Sequence, residues 1–308
     1  MPYALCNFFS LRDRMTLSLQ IFQFLLSGLT TGSTYALIAI GFSLIHNSTG
    51  IVNFAQGEFV MLGGMFMITF HSFLGLPMVP AFLLTIGAVA VVGLLLERFP
   101  LRQARSKEIL ILVMITVGAS IFIKGLVMIL WGKNPMTLPP LSGEAPLDFL
   151  GAAVMPQSLW IFGITLAVVI ALNYFFKGTF IGKAMRAVAA SRRSALLTGI
   201  PVDRIILLSF TLSGGLGAVA GITLTPITTT SYDVGVMLGL KGFSAAILGG
   251  YGSMPGAVLG GLTLGVLESL TAGLITSEFK DAIAFLVLLL VLFFKPSGIL
   301  GRGRLRRV

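Results

Sequence analysis

The residues most able to do chemistry in this chain are polar side chains set inside strongly apolar stretches. The segment GIVNFAQGEF, residues 50–59, places Asn53, Gln56 and Glu58 around Gly57, with an apolar run on either side. A charged group at bilayer depth costs several kcal/mol unless it faces a cavity or a partner. The segment therefore predicts either a broken or re-entrant element that carries a polar site, or the interfacial end of an ordinary span.

Four more charged side chains interrupt apolar stretches, namely Lys124, Asp233, Lys241 and Glu268. Lys124 could lie near the external end of a span and extend its ammonium group to the interface. Lys241 and Glu268 are flanked by small residues, and they could pair, line a path or serve only in helix packing. Together with Glu58, these positions are the candidates for a site within the membrane.

Motifs for enzymatic chemistry are lacking in the sequence. The stretch GTFIGKA, residues 178–184, is one residue too short for a phosphate-binding loop, and Ala184 stands where Ser or Thr would bind magnesium. His46 and His71 are too far apart for a zinc motif or a Ser/His/Asp set, and the single cysteine, Cys6, excludes an intrachain disulfide. We therefore predict that the chain is not an enzyme and holds no catalytic residue, no metal and no cofactor.

The composition is that of a membrane protein. Of the 308 residues, 56% are hydrophobic and only 10% are charged, whereas soluble domains average about 25% charged residues. A chain this apolar must place most of its length in lipid, where helices satisfy their own backbone hydrogen bonds. The predicted fold class is therefore an all-α integral membrane protein.

The positive charge of the chain is concentrated in three short stretches. Residues 98–107 hold four Lys and Arg, residues 177–204 hold six and residues 295–307 hold five, which makes 15 of the 21 in the chain. Each stretch flanks an apolar span, as the positive-inside rule predicts for cytoplasmic loops. Because these loops have almost no aromatic side chains on which bases could stack, we expect no nucleic acid among the partners.

The arrangement of apolar stretches predicts one membrane domain, residues 1–308, with about eight to ten transmembrane or re-entrant elements. An external loop is expected at about 132–157 and a cytoplasmic loop at about 177–204. Residues 47–72 either cross the membrane, which puts the N-terminus outside, or re-enter it, which puts the N-terminus inside, as Arg12 and Arg14 suggest. The predicted spans are about 17–40, 79–96, 109–131, 158–176, 205–224, 232–250, 254–275 and 281–296.

Many of the 37 glycines are spaced four residues apart. Small residues at this spacing let helix backbones approach closely in lipid, and some of them also permit broken helices that line a path. We expect most of these glycines to serve in helix packing. The pairs are Gly28 and Gly32, Gly217 and Gly221, Gly256 and Gly260, and Gly261 and Gly265.

The loop at 177–204 predicts a short, mildly amphipathic helix that ends at Gly199 and Pro201, which are typical stop signals. Arg186, Arg192 and Arg193 make this loop strongly basic. Such a helix could lie on anionic headgroups or dock on a soluble partner, and the residues alone leave both alternatives open.

Four blocks of the sequence, in order, resemble the first permease subunit of branched-chain amino acid ABC importers. The first block is GLTTGSTYALIAIGFSLIHNSTGIVNFAQGEFVMLGG and the second is GKAMRAVAASRRSALLTGIPVDRIILLSF. The third is LKGFSAAILGGYGSMPGAVLGGLTLGVLESL and the last is SEFKDAIAFLVLLLVLFFKPSGILG. The resemblance covers the chain from about residue 20 to 301, and it implies the architecture of an ABC importer permease.

The resemblance also implies partners. In this family a permease pairs with a second, homologous permease, two cytoplasmic ATPases drive the pair, and a periplasmic protein delivers the substrate. ATP and magnesium would then be bound by the ATPases, and this chain would be a multi-pass protein of the bacterial inner membrane, in contact with lipid. By position, ATPase coupling would fall on Arg186, Ala189, Ala190, Arg192, Arg193, Ser194, Gly199 and Ile200.

The substrate that the resemblance implies is a branched-chain or other small apolar amino acid. Importers of urea, short amides or aromatic acids use similar permeases, and a stand-alone secondary transporter, which would need a buried titratable pair, is a further alternative. Related sequences usually read NFAHGE; here Gln56 replaces the histidine, which argues against a proton switch at this position. The candidate pathway residues are Asn53, Gln56, Glu58, Lys241 and Ser253.

Overall fold

The computed structural model describes residues 3–143, 145–149 and 152–301. The arginines at 302–307 in the third basic stretch, and residues 144, 150 and 151 of the external loop, lie outside the described residues. Over the described ranges the chain is helical apart from turns, irregular segments, an isolated β-bridge between Met136 and Thr230, and one hairpin, β1 (Leu147–Phe149) with β2 (Ala152–Val154). The α-helices are α1 (Tyr3–Thr49), α2 (Gln56–Ile68), α3 (Met78–Leu96), α4 (Ile109–Trp131), α5 (Pro156–Gly178), α6 (Phe180–Ala190), α7 (Arg192–Leu197), α8 (Val202–Leu224), α9 (Val234–Gly249), α10 (Met254–Leu274) and α11 (Lys280–Phe294).

Six of the described helical stretches are long and apolar enough to cross a membrane. All six correspond to predicted spans, and the prediction of an all-α integral membrane protein is confirmed. Helices α9 and α11 occupy the other two predicted positions but are shorter, with 16 and 15 residues. The six stretches are Leu17–Thr49, Met78–Leu101, Ile109–Trp131, Pro156–Gly178, Val202–Leu224 and Met254–Leu274.

The predicted break at GIVNFAQGEF is present, and it falls between α1 and α2. Helix α1 continues past the predicted end of its span to Thr49, and Gly50 then takes φ 76°, a left-handed conformation that suits glycine. Irregular backbone follows to Ala55, and α2 begins at Gln56. A π-helical turn, Thr69–Phe73, extends α2.

Contacts at the two ends of this broken element show that it passes from one side of the protein to the other. The Ser48 carbonyl, at the end of α1, accepts a hydrogen bond from Arg192 in the basic loop. Thr69, just after α2, accepts one from Trp131 at the far end of α4. Gln23, near the start of the span in α1, bonds to Ala153 of the external hairpin. The structure therefore favours three crossings before residue 97 over the inside N-terminus that the basic residues near it suggested.

Glycines at the predicted spacing bring helix backbones into direct contact. A Cβ atom on Gly265 of α10 would overlap the backbone of Gly28 and Gly32 of α1. The other predicted pairs behave in the same way, so the spacing predicted which helix faces are in contact. Gly217 and Gly221 face Phe59 and Val60 of α2, Gly256 and Gly260 face Ala245 and Gly249 of α9, and Gly261 faces Ala36.

Burial is very uneven among the spans. The most apolar part of α1 is 89% buried inside the protein, whereas the corresponding part of α4 is only 11% buried and that of α5 is 17% buried. Helix α1 is therefore the centre of the bundle, packed against α8, α9 and α10. Helices α4 and α5 turn most of their apolar surface to lipid or to a partner chain.

The basic loop at 177–204 forms two short helices where the sequence predicted one. Thr179 caps α6 by accepting a hydrogen bond from Gly182 N, and Ser191 caps α7 by accepting one from Ser194 N. Gly199, with φ 80°, follows α7 at the predicted stop. The buried face of both helices packs on the start of α8 through Met185, Val188, Ala195, Val202 and Ile205.

Candidate functional site

Asn53 and Glu58, the polar residues on either side of the start of α2, are fully buried, and each has an atom without a hydrogen-bond partner. Asn53 Oδ1 accepts from Ala55 N at 3.1 Å, while Asn53 Nδ2 has no partner. Glu58 Oε1 accepts from Ser120 Oγ at 2.8 Å, while Oε2 has none. The break therefore holds unused hydrogen-bonding capacity inside the protein, which is rare unless a ligand or water uses it.

Gln56, in contrast, is hydrogen-bonded at both ends of its amide where three helices meet. Its Nε2 donates to the Ser213 carbonyl at 3.3 Å, and its Oε1 lies 2.6 Å from Ser213 Oγ on α8. The same hydroxyl lies 2.9 Å from the Gly41 carbonyl of α1. The side chain is neutral and buried, and it fixes α2 against α1 and α8.

Helix α4 holds the break from the opposite side through two hydroxyls spaced four residues apart. Thr116 Oγ1 accepts from Phe54 N at 3.1 Å, and Ser120 Oγ donates to Glu58. Ser120 is the midpoint of α4, so Glu58 lies near the middle of a span. Sequence reasoning missed Thr116 and Ser120, because hydroxyl residues are common in membrane helices and neither stands out locally.

A cavity of about 250 Å³ lies beside Ser120, lined by residues of α1, α4, α9 and the break. Its wall is almost wholly apolar, with three aromatic rings, and Ser120 supplies the one side-chain hydroxyl among the lining residues. Phe54 brings the break itself to this cavity. The other lining residues are Phe42, Val117, Ile121, Val236, Gly239, Leu240 and Phe243.

Lys241 lies elsewhere, in a buried ion network that joins four helices. Its Nζ is 2.6 Å from Glu268 Oε1 of α10 and 2.6 Å from Asp281 Oδ1 of α11. Tyr35 of α1 donates to Glu268 Oε2 at 2.8 Å. Of the alternatives for Lys241 and Glu268, the structure shows the pair, and such a pair is also what a secondary transporter would need.

Ser253 lies at the start of α10, near the basic loop and away from the break. Its Oγ caps α10 by accepting from Gly256 N at 3.2 Å, and it lines a second cavity of about 600 Å³. Lys177 and Arg186 give this cavity a positive charge. The structure thus brings Asn53, Gln56 and Glu58 together and leaves Lys241 and Ser253 apart, and their role in a pathway stays a prediction.

Most residues predicted for ATPase coupling are exposed, whereas Arg192 and Ile200 are held by hydrogen bonds to the rest of the protein. Arg186, Ala189, Ala190, Arg193, Ser194 and Gly199 are exposed. Arg192 is exposed as a residue, but its Nε donates to the Ser48 carbonyl at 2.8 Å, and partial burial lowers the pKa of its guanidinium. Ile200 is partly buried, and its N–H bonds to the Ala195 carbonyl.

The exposed face of α6 and α7 is apolar as well as basic. Phe180, Leu196 and Leu197 are 89%, 60% and 83% exposed. Large apolar side chains that stand this far out of a protein mark an interaction surface.

Comparison with known proteins places the chain among transport permeases. Residues 24–292 match the family model described as branched-chain amino acid transport system / permease component. The chain is 37% identical over 301 residues to the high-affinity branched-chain amino acid transport system permease protein BraD of Pseudomonas aeruginosa, across 93% of this chain and 97% of that protein.

Two further relatives extend the similarity. The chain is 36% identical over 307 residues to the high-affinity branched-chain amino acid transport system permease protein LivH of Escherichia coli K12, across 94% of this chain and 98% of that protein. It is 27% identical over 281 residues to the probable branched-chain amino acid transport permease protein LivH of Methanocaldococcus jannaschii, across 86% and 88%.

Proposed function

The chain belongs to the family of branched-chain amino acid transport permeases, and from this premise we propose that it is the membrane-spanning permease subunit of an ATP-driven importer of branched-chain amino acids. It would form one half of the translocation pathway and would pair with a second, homologous permease. A periplasmic binding protein would deliver the substrate, and two cytoplasmic ATPases would drive the cycle in the bacterial inner membrane. ATP and magnesium would be bound by those ATPases, with no cofactor on this chain.

The observation that carries this proposal is the exposed face of α6 and α7. A permease driven by separate ATPases needs a cytoplasmic surface that can bind them. This face combines three exposed apolar side chains, Phe180, Leu196 and Leu197, with the exposed Arg193. An apolar core with a charged rim is the composition of a protein–protein interface, and it favours a soluble partner over lipid headgroups.

The same loop is connected to the break, which supports a role in coupling. Arg192 of α7 is hydrogen-bonded to the end of α1, and the irregular segment begins two residues after Ser48. A displacement of α7 by a bound ATPase would therefore be passed to the segment that carries Asn53 and Glu58. In alternating access, such a displacement would change which side of the membrane the pathway faces.

Reconstitution tests this function directly. The chain is assembled in proteoliposomes with its partner permease, the two ATPases and the binding protein, and uptake of radiolabelled leucine is measured. We expect uptake that requires both ATP and the binding protein, and that excess isoleucine or valine inhibits. Leucine uptake by the permeases alone, without ATPases, would show that the chain is a secondary transporter. ATP-driven uptake of urea without leucine uptake would show that the chain belongs to an importer of urea or short amides.

A further inference from the structure

The second cavity, of about 600 Å³, lies at the end of the bundle that carries the basic loop. Residues near the ends of α1 and α5 line it, together with one face of α6, Ser209 of α8 and the start of α10. Asn173 and Lys177 of α5 and Arg186 of α6 are lining residues that are also exposed. The cavity is therefore accessible from outside the protein on the side where α5 meets α6.

The charge of this cavity is positive and unbalanced. Lys177 and Arg186 line it, and none of the described Asp or Glu residues does. Neither cation takes part in an ion pair in the part of the chain that the structure describes, since the pairs found there lie elsewhere. Beyond Leu300, a further lining residue, the sequence adds four arginines and no Asp or Glu. The counter-charge must therefore come from outside this chain, and an anion is the ligand that the cavity favours.

The cavity lies at the level of the membrane interface. Lys177 is next to the last residue of the span Pro156–Gly178, and Tyr174, one turn earlier, is 73% exposed. Tyrosine at the end of a span marks the headgroup region, and lysine there extends its charge into it. Because α5 is mostly unburied, its outer surface borders lipid or a partner chain. The positive cavity is therefore next to the place where phospholipid headgroups lie.

The size and the wall of the cavity suit a molecule that is part polar and part apolar. At about 30 Å³ per water-sized group, its 600 Å³ would hold about twenty non-hydrogen atoms. That is far more than an inorganic anion or one acidic side chain of a partner protein would fill. Apolar side chains make up the rest of the wall beside the cations and polar groups. They are Leu44, Phe176, Met185, Met254 and Leu300.

The orientation of the chain in the membrane favours the same occupant. Under the positive-inside rule, the end with the basic loop faces the cytoplasm. Basic pockets between membrane helices on that side are typical sites for anionic lipid headgroups. A phospholipid also brings both parts that the wall requires, a phosphate for the cations and a glycerol with acyl chains for the apolar side chains.

We propose that this cavity binds the headgroup of an anionic phospholipid. The lipid phosphate binds Lys177 and Arg186, and the glycerol and the first methylene groups lie against the apolar side chains. Because Lys177 belongs to α5 and Arg186 to α6, the bound lipid holds the basic loop against the membrane domain. The site is separate from the exposed apolar face of α6 and α7, and it goes beyond the proposed function.

Cysteine accessibility tests occupancy in the intact complex, purified through this chain and placed in nanodiscs. Cys6→Ser removes the single natural cysteine of the chain, and Asn173→Cys then places a reporter in the cavity wall. Its modification by N-ethylmaleimide, an uncharged reagent, is compared between phosphatidylcholine alone and an equal mixture with phosphatidylglycerol. We expect phosphatidylglycerol to slow the modification by about fivefold or more, as for a site that is mostly occupied.

The matched control for this reporter is Tyr174→Cys, in the same Cys6→Ser background. Tyr174 is the next residue of α5, at the same depth and 73% exposed, but it does not line the cavity. We expect the two lipid mixtures to give the same modification rate at position 174, within about twofold. Slowing that is confined to position 173 therefore reports the cavity and not the charge of the membrane surface.

Charge variants then identify the residues that hold the lipid. Each Lys or Arg near an anionic surface strengthens binding by about fivefold, so Lys177→Gln with Arg186→Gln should weaken it by about 25-fold and remove the protection at position 173. Lys177→Arg keeps the charge and should keep the protection. The matched control is Lys183→Gln with Arg204→Gln, which removes two exposed charges from the same basic stretch but none from the cavity wall. We expect this control to stay protected.

Four outcomes would overturn the proposal. Equal slowing at positions 173 and 174 would show a general effect of the anionic surface. Protection by inorganic phosphate in phosphatidylcholine would show a site for a soluble anion. A cysteine at position 173 that is unreactive in phosphatidylcholine, while one at 174 reacts, would show that a protein subunit fills the cavity. Protection that survives in the Lys177 and Arg186 double variant would show that these cations do not hold the lipid. None of these measurements depends on transport, so the proposed function is tested separately by uptake.

Discussion

Arg192 and Arg193 are adjacent in sequence and equal in charge, but only Arg192 is bonded to the membrane domain. Its Nε donates to the Ser48 carbonyl at 2.8 Å, whereas Arg193 is exposed. Ser48 lies in the last turn of α1, where carbonyl groups have no partner within the helix. We therefore predict that Arg192→Ala uncouples transport from ATP hydrolysis and that Arg193→Ala does not.

The size of the effect follows from the geometry of this hydrogen bond. Hydrogen bonds to charged groups contribute about 1.5–3 kcal/mol. Because the Arg192 side chain is largely open to solvent, screening reduces this to about 1–1.5 kcal/mol. The Arg192 bond links α7 to the end of α1. A free-energy change of this size alters the equilibrium constant for that link by about five- to tenfold.

The assay measures leucine uptake and ATP hydrolysis in the same proteoliposomes. We expect Arg192→Ala to lower the ratio of leucine imported to ATP hydrolysed by about five- to tenfold, with the ATPases still bound. Arg193→Ala keeps the ratio, although it can weaken ATPase binding at high salt because its charge lies on the docking surface. Equal ratios for the two variants would refute the reasoning, since they would show that the bond to Ser48 transmits nothing.

Three further substitutions test other parts of the structure. Gly57→Ala should prevent uptake and lower the thermal unfolding temperature of the purified protein, because the added Cβ atom would overlap a carbonyl group of α9. The control is Gly87→Ala, which has open space around it and should change neither uptake nor the unfolding temperature. Lys241→Met should destabilise the protein by about 3–5 kcal/mol, because it leaves the buried Glu268 carboxylate without its cation; adding Glu268→Gln should restore part of this loss, as chemical denaturation would show. Leu197→Glu, at an 83% exposed position, should weaken ATPase binding in pull-down assays without changing the unfolding temperature.

Each of these predictions has a contrary outcome. Wild-type uptake by the Gly57 variant would mean that α2 and α9 are not in close contact. A double variant no more stable than Lys241→Met would mean that the buried charges do not act as a pair. Full ATPase binding by the Leu197 variant would place the docking surface elsewhere on the protein.

The fold could be predicted from the sequence where the signal is local. A run of about 20 apolar residues is needed to cross the bilayer, and the six longest spans were found within a few residues, apart from the C-terminal end of α1. Glycines four residues apart predicted close helix packing, because the spacing puts them on one helix face; that α1 packs against α10 is seen only in the structure. The break after Thr49 was visible because Gly50 and three nearby polar residues interrupt an apolar run.

The site could be predicted only in part, because its contacts join residues that are distant in sequence. Ser120 is 62 residues from Glu58, and Arg192 is 144 residues from Ser48. No local pattern distinguishes Ser120 from the other serines, or Arg192 from Arg193. Lys124 was visible as a charge within a span, but its contact with the Tyr232 ring depends on how α4 packs beside the segment that precedes α9.

The break holds two kinds of polar group, and their contacts argue for different roles. Gln56 uses both ends of its amide on Ser213, so it is a neutral structural joint that a titrating side chain would disturb. Glu58 keeps one oxygen without a partner, although a buried, unsatisfied charged group is among the most expensive features that a fold can retain. The same segment therefore bonds the amide of Gln56 at both ends and leaves one oxygen of Glu58, two residues later, without a hydrogen-bond partner.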